Sequence, residues 1–174
     1  MTPQSRVDYR IRDAHPGDAA ALVALGRTVG REPEGWLITT SDWRSAADER
    51  RYLKALRRYE HAAVFVAETH AGEIAGRLSL ARDQHPASAH IADLGLMVAK
   101  EHRRKGIGQA LLEEAVRWAR AHRVTKLELH VFPHNEAAIA LYENFGFERE
   151  GYRKAHYRRH DGYVDAILMA LTVA

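Results

Sequence analysis

A chain of 174 residues, 46% of them hydrophobic, can bury a substantial core and is short enough to fold as one domain, residues 1–174. Its net charge of +3 has acidic residues interleaved almost throughout, so the basic pairs at Arg50-Arg51, Arg57-Arg58, Arg153-Lys154 and Arg158-Arg159 read as solvated surface, and nucleic acid ranks last as a partner. The absence of cysteine excludes disulfides, thiolate metal sites and a cysteine nucleophile, while no apolar run long enough to span a bilayer and no secretory leader in MTPQSRVDYR point to no membrane partner and a cytoplasmic setting.

YRIRDA (9–14) alternates like a strand, and Pro16-Gly17-Asp18 opens an Ala/Leu-rich helix to about Thr28. Residues 30–41 read as a loop. A charged helix follows from about Ser41 to Glu60, with Trp43, Ala47, Tyr52 and Leu56 as its inward positions. Next comes a hairpin: AAVFVAE (62–68), a turn at His70-Ala71-Gly72, and EIAGRLSLAR (73–82).

HIADLGLMV (90–98) reads as a buried strand that leads through AKEHRRK into a helix over 106–122. On that helix Ile107, Leu111, Leu112, Ala115, Trp118 and Ala119 fall on one stripe, and Glu113 stands four residues before Arg117 on the wet side. TKLELHVF (125–132) is a further strand, and residues 135–144 form a short helix stopped by Gly146. Strands over Glu148–Tyr157 and Tyr163–Val173 close the chain, joined by the Asp161-Gly162 turn. This order predicts a mixed α/β (α+β) sandwich with a mostly antiparallel sheet, in which strand 90–98, helix 106–122 and strand 125–131 make one right-handed βαβ unit.

Arg103, Arg104 and Lys105 stand directly before Gly106 and Gly108 at the start of that helix. A helix N-terminus already carries about half a positive charge, so three cations there are unfavourable unless an anion arrives. A glycine turn between a strand and a helix lets backbone N–H groups face such an anion, which makes this a phosphate seat. It is not a Walker loop, which needs Gly-Lys-Ser/Thr, nor the dinucleotide fingerprint, whose third glycine is replaced by Leu111. The eleven histidines carry no HExxH or other recognisable metal spacing, so no metal is expected.

Arg103-x-x-Gly106-x-Gly108 after the strand Leu94–Val98 resembles the coenzyme A pyrophosphate loop of the GNAT superfamily of acetyl-CoA-dependent N-acetyltransferases. Asn135-x-x-Ala138-x-x-Leu141-Tyr142 followed by Asn144-Phe145-Gly146-Phe147 is similar to that superfamily's second block, and the N-terminal segments match too. The resemblance implies a twisted sheet of about seven strands with about four helices, with strands 4 and 5 splayed to admit the pantetheine arm. It implies acetyl-CoA as co-substrate, held by the backbone of Arg103, Arg104, Lys105, Gly106, Ile107, Gly108 and Gln109, with Arg104 or Lys105 supplying side-chain charge.

Direct attack of a primary amine in a ternary complex is then the implied chemistry. Tyr142 is the implied proton donor to the sulfur, a phenol of pKa about 10 being protonated at neutral pH. Asn135, two turns earlier on the same helix face, is a coenzyme contact, and a backbone N–H near Met97 or Val98 is the oxyanion donor. Without the motif, Asn135 would read as a helix cap and Tyr142 as core. Asp93 is the foremost base, with Glu73, His90 or a water chain as alternatives. The acceptor is a small-molecule amine or a protein or peptide N-terminus, approached past Glu32, Glu34 and Asp42, and the last two strands offer a homodimer edge. The rival to a transferase is an inactive acyl-CoA-binding module that senses or docks.

Overall fold

Period-2 patterning becomes strands and period-3.6 patterning becomes helices in the computed structural model, which describes residues 9–38 and 44–173. In chain order these are β1 (Arg10–Asp13), α1 (Ala19–Gly30), α2 (Ala46–Leu56), β2 (Ala62–Glu68), β3 (Ile74–Arg82), β4 (Ile91–Val98), α3 (Ile107–Ala121), β5 (Lys126–Val131), α4 (Glu136–Phe145), β6 (Glu148–Arg159) and β7 (Gly162–Thr172). The strands form one sheet in the order β1-β2-β3-β4-β5-β7-β6, antiparallel except where α3 carries the chain from β4 to a parallel β5. This is the mixed α/β architecture, a mostly antiparallel sheet with one βαβ unit, that the sequence predicts.

Helices cover the sheet from both sides. The α3 stripe of Ile107, Leu111, Leu112, Ala115, Trp118 and Ala119 is buried as its spacing requires, against Leu78, Leu80, Leu94 and Leu127. On its wet side Arg117 pairs with Glu114, one turn back, while Glu113 accepts from Gln109. Leu22, Leu25 and Val29 of α1 and Leu53 of α2 pack on the opposite face over Val64, Val66 and Met97.

Helix α2 departs from the sequence reading. It begins only after Ser45, whose Oγ accepts the Asp48 N–H at 3.1 Å as an N-cap, and it stops at Leu56 short of Glu60. Ala47 is exposed, and Trp43 lies outside the described residues. Instead Glu49 is fully buried, 3.0 Å from the nearly buried guanidinium of Arg77 on β3 and 3.6 Å from that of Arg44. Hydrophobic periodicity cannot signal an inward position occupied by a neutralised charge.

Strands β4 and β5 pair only at their starts, Ile91–Asp93 with Lys126–Glu128. Beyond that point β4 stays on β3 as far as Val98, while β5 follows β7 to Val131, and a wedge opens between them. Ladder bonds bracket β4 at both ends, Asp83 N–H to Ile91 O at 2.9 Å and Ala99 N–H to Ala75 O at 2.8 Å. With the unbroken β3–β4 register, alternation gives the backbone groups of Gly95 and Met97 to β3 and turns those of Leu96 and Val98 toward the wedge.

Candidate active site

The wedge opens into a cleft of about 410 Å³. Its floor is β4 from Asp93 to Met97, one side is β5 with Asn135, Ala138 and Tyr142 of the following helix, and the other is Trp36, Leu37 and Ile38. Tyr142, Asn135, Asp93 and Met97 are therefore brought together, although they come from segments far apart in the chain. Val98 borders the wedge through its backbone. Met97 contributes side-chain lining, but its N–H belongs to the β3 ladder, so the N–H groups this strand leaves to the wedge are those of Leu96 and Val98.

Helix α4 fixes two of these groups. Asn135 caps it, Oδ1 accepting the Ala138 N–H at 3.2 Å, which leaves its amide NH₂ as the group it can offer the cleft. At the other end Gly146, at φ 119°, closes a Schellman motif in which Phe147 N–H reaches Tyr142 O at 2.9 Å. That reversal lays Phe147 edge-on against the Tyr142 ring, centroids 5.7 Å apart. Tyr142 is 6% exposed, and burial pushes its phenol well above the usual range, so the hydroxyl stays protonated throughout the physiological range.

The turn before α3 sits past the end of β4. Arg104 at φ 60° and Gly106 at φ 84° both take the left-handed conformation, and Gly106 caps α3 without a side-chain bond. The first N–H groups of α3, from Ile107, Gly108 and Gln109, have no acceptor within the helix. Lys105 and Arg104 are both exposed and can meet an anion from solvent. Ile107 is buried, so only its backbone can serve a ligand, and Gln109 donates its side chain to Glu113 at 3.1 Å.

Two residues of the turn have other duties. Arg103 donates Nε to Val98 O at 2.9 Å and both terminal nitrogens to Glu32, at 2.6 and 2.8 Å, so its head group is committed inward. A Cβ on Gly108 would lie 2.7 Å from Leu141 Cδ2, so glycine here lets α3 approach α4. Gly108 thus has a packing reason beside its place in the phosphate motif.

On the far side of the cleft Asp93 keeps solvent access but lies in a concave wall. Partial desolvation, then the charges of Glu128 and Asp83, raise its pKa above the usual carboxylate range. Glu73 and His90 do not line the cleft: Glu73 faces His102 at 3.6 Å, and His90 precedes β4, its carbonyl accepting from Thr125. Glu73, Glu101 and His102 are also the one trio among the described residues with donor atoms close enough to share a metal ion, away from the cleft. Glu32 is spent on Arg103 and on Trp36, whose Nε1 donates at 2.9 Å, and Asp42 lies outside the described residues.

His130 of β5 lines the same cleft and escapes the sequence reading. Its Nδ1 lies 2.5 Å from the Tyr157 hydroxyl, a partner 27 residues away on β6. Desolvation, then Arg153 and His156, lower its pKa and keep the ring neutral, while desolvation and the nearby Asp93 raise that of Tyr157. Alternation along KLELHV hints that His130 faces opposite to Leu129 and Val131, but only the sheet register shows what it meets.

The family model described as the acetyltransferase (GNAT) family matches residues 33–147. The chain belongs to the GNAT family. Among curated relatives, the L-amino acid N-acetyltransferase AaaT of Escherichia coli is 37% identical over 103 residues, 57% of this chain and 62% of AaaT. The [ribosomal protein bS18]-alanine N-acetyltransferase of the same organism is 40% identical over 79 residues, 45% of this chain and 53% of that enzyme. This GNAT chain thus spans less than two thirds of either relative. A GNAT acetyltransferase structure from Streptococcus pneumoniae superposes with a TM-score of 0.86 at 30% identity, covering 96% of this chain and 100% of that one. A phosphinothricin acetyltransferase from Sinorhizobium meliloti in complex with AcCoA shares the fold, with a TM-score of 0.83 at 22% identity over 95% of this chain and 89% of its own.

Proposed function

We propose that this GNAT protein is an N-acetyltransferase that moves an acetyl group from acetyl-CoA to a primary amine, by direct attack in a ternary complex. One observation carries the reading: Tyr142, Asp93 and Leu96 line one cleft, at an opening in the sheet beside a glycine turn whose first helical N–H groups are unpaired. The residues fit acetyl-CoA. Backbone donors from Arg104 to Gln109, with Lys105 and Arg104, would hold the pyrophosphate, and the open edge of β4 would pair with the pantetheine arm. Bound there, acetyl-CoA supplies an activated acyl group.

The chain's own residues supply the rest. The N–H of Leu96 or Val98 stabilises negative charge developing on the carbonyl oxygen, and Tyr142 donates a proton to the sulfur as it leaves. Asp93 takes the acceptor's proton, or His130 does so in the tautomer whose Nδ1–H donates to Tyr157 and leaves Nε2 bare. The relatives are an L-amino acid N-acetyltransferase and a ribosomal protein bS18-alanine N-acetyltransferase, which makes amino acids and alanyl peptides the first two acceptor classes to offer. The same reading carries the cytoplasmic setting expected from the sequence.

Isothermal titration of acetyl-CoA into wild type and Lys105→Glu, followed by an acetyl-transfer screen of amino acids and alanyl peptides, tests the proposal. Micromolar binding weakened by Lys105→Glu, with transfer that Tyr142→Phe suppresses, is the expected result. Binding without transfer to any amine would favour the inactive coenzyme-binding module, and no binding would end both readings.

A further inference from the structure

We propose that Arg103, Glu32 and Trp36 form a strut that couples the coenzyme turn to the wall of the acceptor cleft, so that Arg103 positions the acceptor side of the site while its neighbours meet the phosphates. The proposal rests on the transferase reading above. Its first observation is the occupancy of the guanidinium. Nε is bonded to Val98 O at the end of β4, and both terminal nitrogens are bonded to the Glu32 carboxylate in a bidentate pair. A fork of this kind fixes direction as well as distance, so a shift of the Arg103 backbone moves Glu32 with it.

The second observation is where Glu32 leads. Its Oε2, shared with Arg103, also accepts the Trp36 indole N–H at 2.9 Å. Trp36 lines the cleft and stacks on His134, which in turn stacks on Phe132, each pair 5.6 Å apart. Two further bonds hold the same segment down: His134 Nε2 meets Glu34 O at 2.9 Å, and Arg159 donates to Gly35 O at 2.9 Å. The segment is thus held on one side by the turn after β5 and by β6, and on the other, among the described residues, by the hydrogen bonds from Arg103 of the coenzyme turn. The Glu32 carboxyl, its pKa lowered chiefly by the hydrogen bond from Arg103, stays charged near neutrality.

The linkage is thermodynamic and therefore reciprocal: a phosphate that settles the turn also settles Trp36, and an acceptor that orders Trp36 tightens the coenzyme. It gives Arg103 a role that its place in the phosphate motif hides. Glu32, in turn, is a structural anion and not a receptor for a cationic acceptor.

The indole N–H resonances of ¹⁵N-labelled protein, with that of Trp36 assigned by its loss in Trp36→Phe, report the strut without a known acceptor. Coenzyme A is the probe. In wild type the Trp36 signal shifts and its hydrogen exchange slows on saturation. In Arg103→Lys and in Glu32→Gln the response is lost, while calorimetry shows coenzyme A affinity changed by no more than about threefold, below the usual range of site-to-site coupling. Amide spectra of both variants confirm that they are folded. Coenzyme A binding without a Trp36 response in wild type overturns the strut alone, as does a response that persists in both variants. A loss of affinity of about tenfold or more in Arg103→Lys, with Glu32→Gln unaffected, also overturns it, because Arg103 would then serve the phosphates directly. If wild type binds no coenzyme A, the transferase reading falls and the strut with it.

Discussion

Tyr142 is held on three sides: by the α4 face that buries it, by the Schellman reversal after it, and by the Phe147 edge that this reversal delivers. Such fixing of a protonated phenol suits a proton donor and also suits plain core packing, so the hydroxyl decides. Tyr142→Phe keeps the ring, and its expected effect is a fall in kcat of about a hundredfold, the usual scale for a lost general acid, with acetyl-CoA affinity unchanged by calorimetry. An unaltered kcat would return Tyr142 to the core. Asp93 makes a second statement at this scale. Its pKa is raised in the fold, so the native state favours the protonated form, and stability present at low pH is lost as pH rises through the folded pKa. Asp93→Asn removes that cost. The variant is expected to melt above wild type at pH 7 and with it below about pH 4, where both side chains are neutral, in thermal scans across pH. A base with this pKa also gives kcat/KM an acid limb above the ordinary carboxylate range, which the same variant abolishes.

Elements meet here through residues whose roles split between chemistry and packing. Gly108 belongs to the phosphate motif in sequence, yet the atom nearest its missing Cβ is Leu141 Cδ2, on the helix that carries Tyr142. An alanine there would favour helix by up to about 1 kcal/mol, against an overpacking cost of about 1–3 kcal/mol unless Leu141 turns away. Gly108→Ala is therefore expected to destabilise the protein by about 1 kcal/mol in urea unfolding, and to be neutral or stabilising in a Leu141→Ala background. Equal effects in both backgrounds would mean that the helices do not meet at this point. Element identities were legible because periodicity reports which face is apolar, and the six-residue stripe of α3 is buried throughout. What periodicity could not report is a charge turned inward. Glu49 sits at a buried position of α2 because Arg77, on strand β3, neutralises it. Glu32 looked like an acceptor-side anion for the same reason, its partner Arg103 standing 71 residues away.

At the scale of the whole molecule, the sheet is continuous except where the site lies. Seven strands are joined through three parallel residue pairs between β4 and β5, and beyond those pairs β5 leaves the facing edge of β4 unpaired. The splay follows from the family resemblance, but which backbone groups it exposes was not legible. Met97 and Val98 look equivalent in HIADLGLMV, and only the β3 register separates them, since shifting a ladder by one residue exchanges every inward and outward group. The parity makes a prediction that no local feature would. In amide hydrogen exchange of the unliganded protein, Gly95 and Met97 should be protected by β3, while Leu96 and Val98, aimed into the wedge, exchange much faster although they alternate along one strand. Saturation with coenzyme A should slow Leu96 and Val98 selectively, because a pantetheine arm lying along β4 supplies the acceptors that β5 withholds. At about a hundred times Kd the same binding adds about 2.7 kcal/mol to global stability, so the globally protected core also slows, but by a common factor. Selectivity is therefore the diagnostic quantity. If Leu96 and Val98 are as protected as their neighbours before ligand is added, β5 or another segment closes the wedge in solution, and coenzyme binding must open the sheet instead of completing it.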